Sequence, residues 1–203
     1  MLVKLLWIGG MCCVAFQTAT PPKKILVFGD SLTAGYGLSA QEAFPALAEK
    51  HLNEKGKKCQ VINAGLSGET SAGGLSRIDW VLRQSVDVFV LELGGNDGLR
   101  GLPLSQTKSN LQAILDKVKQ KYPNAKLVVA GMMVPPNMGP EYSAEFKAVF
   151  PELARKNKAT LIPFLLDGVA GTKSLNLDDG IHPNTEGHKI VAATLTRALE
   201  PLL

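Results

Sequence analysis

The chain is short of the residues that most often announce a covalent staple, a metal or a nucleic-acid surface. It has three cysteines in 203 residues, and Cys12 and Cys13 fall within the first 20. Only Cys59 lies beyond them, so no internal disulfide is expected to hold the fold. Cys59 sits in the apolar run Cys59–Ile62 and reads as a small buried hydrophobe. The three histidines are His51, His182 and His188. The spacing of the last two matches no helical or finger-type ligand motif, which argues against a metal site built from Asp179, His182 and His188. No basic run exceeds the pairs Lys23-Lys24 and Lys57-Lys58. Without a basic stripe and interleaved aromatics, nucleic acid is not an expected partner. There is no Gly-x-Ser-x-Gly elbow and no Gly-Lys-Ser/Thr phosphate loop.

What is there describes an ordinary globular protein. Hydrophobic residues make up 45% and charged residues 20%. The length suits one full-sized core, and no repeat, low-complexity tract or linker divides it. The first 20 residues differ from the rest. Lys4 gives a short positive start, Leu5 to Phe16 is nearly all apolar, and Gln17-Thr18-Ala19-Thr20 forms a small, polar end. An apolar run of about 12 residues is too short to span a bilayer comfortably. Residues 1–20 therefore read as an export signal, which places the domain 21–203 in the periplasm or outside the cell. Cys12-Cys13 raises a lipid-anchored form, against which stands the bulky Met11. An uncleaved N-terminal helix is the plainer alternative. After leader removal no stable membrane span is expected, and the domain should be a monomer.

Apolar, β-branched runs recur at Ile25–Phe28, Cys59–Ile62, Val86–Leu93, Lys126–Ala130 and Thr160–Ile162. Continuous rather than alternating runs suit strands covered on both faces of a parallel sheet. Helical spacings lie between and after them. Phe44, Leu47, Ala48 and Leu52 share one face, as do Leu111, Ile114, Leu115 and Val118, and then Val191, Leu195, Ala198, Leu199 and Leu202. Five strands alternating with helices predict an α/β protein, a three-layer αβα sandwich on a five-stranded parallel sheet. In such sheets, sites form beyond the carboxyl ends of the strands. Four segments then matter: Gly29-Asp30-Ser31, Asn63 to Gly68, Gly94-Gly95-Asn96-Asp97, and Asp178 to His182 before the last helix.

Each segment has a plain reading beside a chemical one. Ser31 alone reads as a helix cap, and as a nucleophile only if a base reaches it. His51 falls in a helical pattern and His188 at the start of the final helix, both structural readings. His182 follows Asp179 by three residues across a glycine turn, a spacing that lets a carboxylate orient the ring. The same residues also make an ordinary turn before a helix capped near Asn184. The Ser31 N–H, the Gly68 N–H and the Asn96 side chain are candidate donors to an oxyanion, although Gly68 and Asn96 also suit turns. Asp30 and Asp97 read as turn and capping residues.

Taken together, the four segments resemble the SGNH (GDSL-type) serine hydrolases. Gly29-Asp30-Ser31-Leu32 matches their first block, Gly68 in "NAGLSGETSAGG" the second, Asn96 in "LGGNDGLRG" the third, and Asp179 and His182 in "DGIHPN" the fourth. The stretches "GDSLTAGYGL" and "PPNMGPEYSAEF" look closest to the exported bacterial branch called acyl-CoA thioesterase, lysophospholipase or arylesterase. The resemblance covers essentially residues 24 to 200. It implies a flavodoxin-like fold and an SGNH hydrolase domain over 21–203. It implies Ser31 as nucleophile, His182 as general base and then acid, and Asp179 as the orienting carboxylate. Ser31 N–H, Gly68 N–H and Asn96 would form the oxyanion hole, with no cofactor and no metal. The expected partner is a small-molecule acyl ester or thioester. A histidine base must be neutral, so the rate should rise with pH through roughly 6–7. Met132, Met133, Val134, Pro135, Pro136 and Met138, with Tyr142, Leu99 and Leu102, are expected either to line an acyl groove or to pack as ordinary loops. The rivals are a carbohydrate O-deacetylase of the same fold and a non-catalytic lipid-binding protein.

Overall fold

Five parallel strands lie side by side in the order β2-β1-β3-β4-β5. They are β1 Lys23–Gly29, β2 Cys59–Gly65, β3 Val88–Glu92, β4 Lys126–Ala130 and β5 Thr160–Ile162. The computed structural model describes residues 21–203, so the leader expected over residues 1–20 lies outside the described residues. Among the described residues, seven α-helices accompany the strands. These are α1 Ser31–Ala34, α2 Phe44–Glu54, α3 Ser71–Val81, α4 Gly95–Leu99, α5 Leu104–Lys121, α6 Pro140–Asn157 and α7 Thr185–Leu199. Helices α2 and α7 pack together over one face, and α3, α5 and α6 lie in a row over the other. This is the αβα sandwich expected, with the strand order of flavodoxin-like folds.

The central strands behave as their apolar runs predict. Ile25 to Phe28 and Val88 to Leu91 are fully buried, because helices cover both faces of β1 and β3. Burying each such side chain contributes about 1.5–3 kcal/mol. Strand β2 departs from the expectation in extent, since pairing with β1 continues through Asn63, Ala64 and Gly65. It is an edge strand, so its residues need not be apolar to stay paired. Strand β3 is shorter than its apolar run, which extends beyond the paired residues at both ends.

Two helices left no simple apolar signal. Helix α3 carries Gly73 and Gly74, which weaken its pattern. Gly74 is needed there, because a Cβ would stand 2.5 Å from Leu93 Cδ1 and 3.2 Å from Phe28 Cε1. Helix α6 holds Pro151 in its interior, although Phe146, Val149, Phe150 and Leu153 form a buried stripe. Tyr142, expected in a loop, stands in the first turn of α6. Cys59 is buried, and burial pushes its thiol up to about 11, with Glu49 adding to the shift, so it is a packing residue and not a nucleophile. His188 is also structural. Its Nδ1 accepts the Phe44 N–H at 3.0 Å, tying α7 to the start of α2.

Candidate active site

The carboxyl ends of β1, β2 and β3 bring the first three segments together, and the turn before α7 supplies the fourth. At the end of β1 the chain passes directly into α1. Asp30 rather than Ser31 is the N-cap, its Oδ1 accepting the Leu32 N–H at 3.1 Å. Ser31 is therefore the first residue of the helix, and its N–H makes no hydrogen bond among the described residues. Gly29 is required by crowding. A Cβ there would lie 2.1 Å from Thr33 Oγ1 and 2.2 Å from Glu92 Oε2. Gly35 ends α1 at φ 76°, a left-handed conformation that glycine adopts without strain.

The turn that carries His182 is built as a small closed loop. The Leu177 N–H donates to the His182 carbonyl at 2.7 Å, and Gly180 closes the bend onto Leu177 at 2.9 Å. Asn184 then caps α7, accepting the N–H groups of Glu186 and Gly187. Within this turn Asp179 Oδ1 accepts the backbone N–H of Ile181 and of His182, each at 2.9 Å. Its Oδ2 lies 2.7 Å from His182 Nδ1. Partial burial would raise the Asp179 carboxyl, but the His182 backbone and ring, with the Ile181 N–H, hold it down to about 2. On the other side of the ring, His182 Nε2 lies 2.8 Å from Ser31 Oγ, across 151 residues of sequence. Serine, imidazole and carboxylate thus form one continuous chain of hydrogen-bonding atoms. Such a relay can draw a proton from the hydroxyl as it attacks a carbonyl, and can stabilise the resulting imidazolium.

The donor side is fastened from beneath. Gly68 stands in an exposed turn at φ 79°, and its N–H has no acceptor among the described residues. Glu69, next to it, is buried and paired with Arg77. Arg77 also donates to the carbonyls of Gly29 and Ala64 and lies 4.2 Å over the Phe28 ring. One guanidinium therefore joins the ends of β1 and β2 to the Gly68 turn. Asn96 lies in the short helix α4, and Asp97 beside it accepts from Ser71 N–H at 2.8 Å and Ser71 Oγ at 2.5 Å. The Asn96 amide is not idle. Nδ2 donates to Asp30 Oδ2 at 3.1 Å and to the Glu69 carbonyl at 3.0 Å. Donation to a substrate oxygen requires one of these bonds to be shared or exchanged.

Two residues of the site had no signal in the sequence. Tyr36 lays its ring over His182 with centroids 4.5 Å apart. Glu92, at the end of β3, is fully buried and its Oε2 accepts from Thr33 Oγ1 at 2.6 Å and from the Asp30 N–H at 3.2 Å. Its Oε1 has no hydrogen-bond partner among the described residues. Burial, reinforced by the neighbouring Asp30, raises the Glu92 carboxyl well above its ordinary range. Burial likewise pushes Asp30 up to about 6, against the hydrogen bonds from Leu32 and Asn96. A tyrosine after a glycine, or an acid closing an apolar strand, has no motif to mark it.

The expected apolar groove is only partly distinct from the core. Met132 and Val134 are buried, against Gly95 and Gly98, whereas Met133, Leu99 and Leu102 are exposed. Tyr142 Oη donates to the carbonyls of Gly98 and Leu102 at 3.3 and 3.2 Å, which joins the start of α6 to the Asn96 segment. Among the described residues no helix is long and apolar enough to cross a membrane.

A parallel αβα sandwich with a serine, a histidine and an aspartate in contact at its carboxyl edge belongs to the class of α/β hydrolytic folds. The comparisons specify the family within that class. Residues 27–190 match the model of the GDSL-like Lipase/Acylhydrolase family, and the chain belongs to that family. It is 37% identical over 200 residues to the Esterase TesA of Pseudomonas aeruginosa, covering 98% of each chain. It is 41% identical over 181 residues to the Thioesterase 1/protease 1/lysophospholipase L1 of Escherichia coli K12, covering 88% of this chain and 84% of the relative. A crystal structure of TesA superimposes with a TM-score of 0.85 at 38% identity, over 89% of this chain and all of the other.

Proposed function

We propose that this protein is a serine esterase that hydrolyses carboxylic esters and thioesters of acyl substrates through an acyl-enzyme. The observation that carries the reading is the 2.8 Å contact of Ser31 Oγ with His182 Nε2, backed by the 2.7 Å contact of Nδ1 with Asp179. Ser31 Oγ attacks the acyl carbonyl while His182 Nε2 takes its proton. The carbonyl oxygen becomes an oxyanion held by the Ser31 and Gly68 N–H groups. Asn96 joins as a third donor by sharing the hydrogen now given to the Glu69 carbonyl. His182 then gives its proton to the departing alkoxide or thiolate, and the acyl group stays on Ser31. Water attacks this ester with His182 again as base, which releases the acid and restores the serine. Asp179 keeps the ring in one tautomer throughout, and Tyr36 covers one of its faces.

The names of the relatives, an esterase and a thioesterase/lysophospholipase, support ester and thioester substrates. Residues 1–20 act as an export signal in this reading, and the domain 21–203 works in the periplasm or outside the cell as a monomer. The test is hydrolysis of p-nitrophenyl esters from acetyl to palmitoyl, together with acyl-CoA and a lysophospholipid. Replacing Ser31→Ala should lower every rate by about 10⁴-fold or more. A variant with undiminished rate would sink the mechanism. Activity confined to acetyl esters of sugars would move the assignment to an O-deacetylase.

A further inference from the structure

The exposed edge of the sheet carries a groove of about 690 Å³ between β2 and α3, separate from the Ser31 site. Its apolar surface includes Ile62, Leu66, Trp80 and Val81, and its charged groups are Arg77 and Arg83. Trp80 is 67% exposed and Leu66 53%, a large apolar area to leave in water. None of the residues lining the groove is acidic. Arg83 is exposed and makes no ion pair among the described residues. The groove is thus largely apolar, and because Arg77 is held by Glu69 its unpaired charge among the described residues is the Arg83 guanidinium.

A peptide strand does not suit it, although β2 is an edge strand. The outward N–H groups of Cys59, Val61 and Gly65 already donate to the side chains of Asn53, Glu49 and Asn63. Among the described residues, Asn63 alone keeps an outward amide without a partner, so the edge cannot template a ladder. A single flexible apolar chain needs no such amides. From Ile62 to Gly65 the strand rises about 10 Å, with Leu66 just beyond its end, room for a medium-length acyl chain laid along it. The upper end abuts the active-site edge, because Gly65 is paired with Gly29, two residues before Ser31.

We propose that this groove binds a fatty carboxylate, its chain on Leu66 and Trp80 and its head on Arg83. The choice of a carboxylate rests on the hydrolytic function proposed above, whose acid product it is, whereas the groove itself does not depend on that function. Calorimetric titration of the Ser31→Ala protein with decanoate tests it, with decanol and decylphosphocholine as neutral and zwitterionic probes. Decanoate should bind at one saturable site, at least about tenfold more tightly than either probe. Binding should survive covalent capping of wild-type Ser31 by an alkylphosphonate, and should weaken about tenfold in Arg83→Gln and in Trp80→Ser. No binding, equal binding of decanol, or tighter binding of decylphosphocholine would overturn the assignment. So would binding abolished by the phosphonate, or indifferent to both groove variants. A wild-type protein that hydrolyses no ester would sink the catalytic reading while the titration still reports on the groove.

Discussion

The two aspartates nearest Ser31 occupy opposite settings. Asp179 is exposed in a turn, and hydrogen bonds hold its carboxyl down to about 2. Asp30 is buried beneath Ser31, and burial pushes it up to about 6. The first holds the His182 ring from the solvent side, where the turn around it is closed by its own backbone. The second belongs to a buried floor with Glu92, Thr33 and Gly29, on which the Ser31 helix turn is built. The histidine half can therefore lose its chemistry and keep its structure. Beneath Ser31, substitutions in the floor disturb structure and chemistry together, because Gly29 has no room for a Cβ beside Thr33 and Glu92.

That contrast can be broken by substitution. Of the substitutions that leave Ser31 in place, the largest effect on rate should come from Asp179→Asn, which leaves the ring without its carboxylate. Ester hydrolysis should fall by about 10²–10⁴-fold, while the melting temperature moves by less than about 2 °C. A melting temperature lowered by about 8 °C or more would show that the turn, too, is structural. On the buried side, Gly29→Ala drives a methyl into Thr33 and both the side chain and backbone of Glu92. The expected loss is about 3 kcal/mol, read by thermal melting, with activity falling in parallel. Full stability in that variant would mean the floor relaxes freely.

Smaller effects sharpen the comparison through pH. A carboxyl raised in the folded state holds its proton longer there than in the unfolded chain. Its contribution is present below the unfolded value of 3.8 and is lost as pH rises through about 6 for Asp30. Glu92 shifts in the same direction. Glu92→Gln removes one of these titrations, so denaturant unfolding should show a shallower fall of stability with rising pH. An unchanged slope would count against a titrating floor. His188 works with the opposite sign. Burial lowers its ring to about 4, so its contribution is present above 6.5 and is lost as pH falls through about 4. His188→Gln should flatten the acid limb of the melting curve by on the order of 1 kcal/mol. A steeper acid limb would exclude the buried ring as its cause.

Much of this molecule is legible in local sequence. Strands β1, β3 and β4 are buried on both faces, so each reads as a continuous apolar run. Strand β2 reads short because half of it faces outward, and α3 is hidden by the glycine that its packing on the sheet demands. Asp30 and Asn184 are caps in the structure as in the sequence, because capping involves only the next two or three residues.

The sequence by itself determined the strand order along the chain, the turn around Asp179 and His182, and the placing of three polar segments at strand ends and a fourth before the last helix. Those depend on side-chain shape, turn preference and hydrophobic period, which act over a few residues. Only the tertiary structure decided that His182 meets Ser31 and that Tyr36 covers the imidazole. It also decided that Glu92 closes the floor with one oxygen unpartnered, and that Asn96 is shared between Asp30 and Glu69. Each of these is a distance between groups that chain neighbours do not constrain. Such distances are set by the packing of helices on both faces of a twisted sheet, and by what that packing leaves without water.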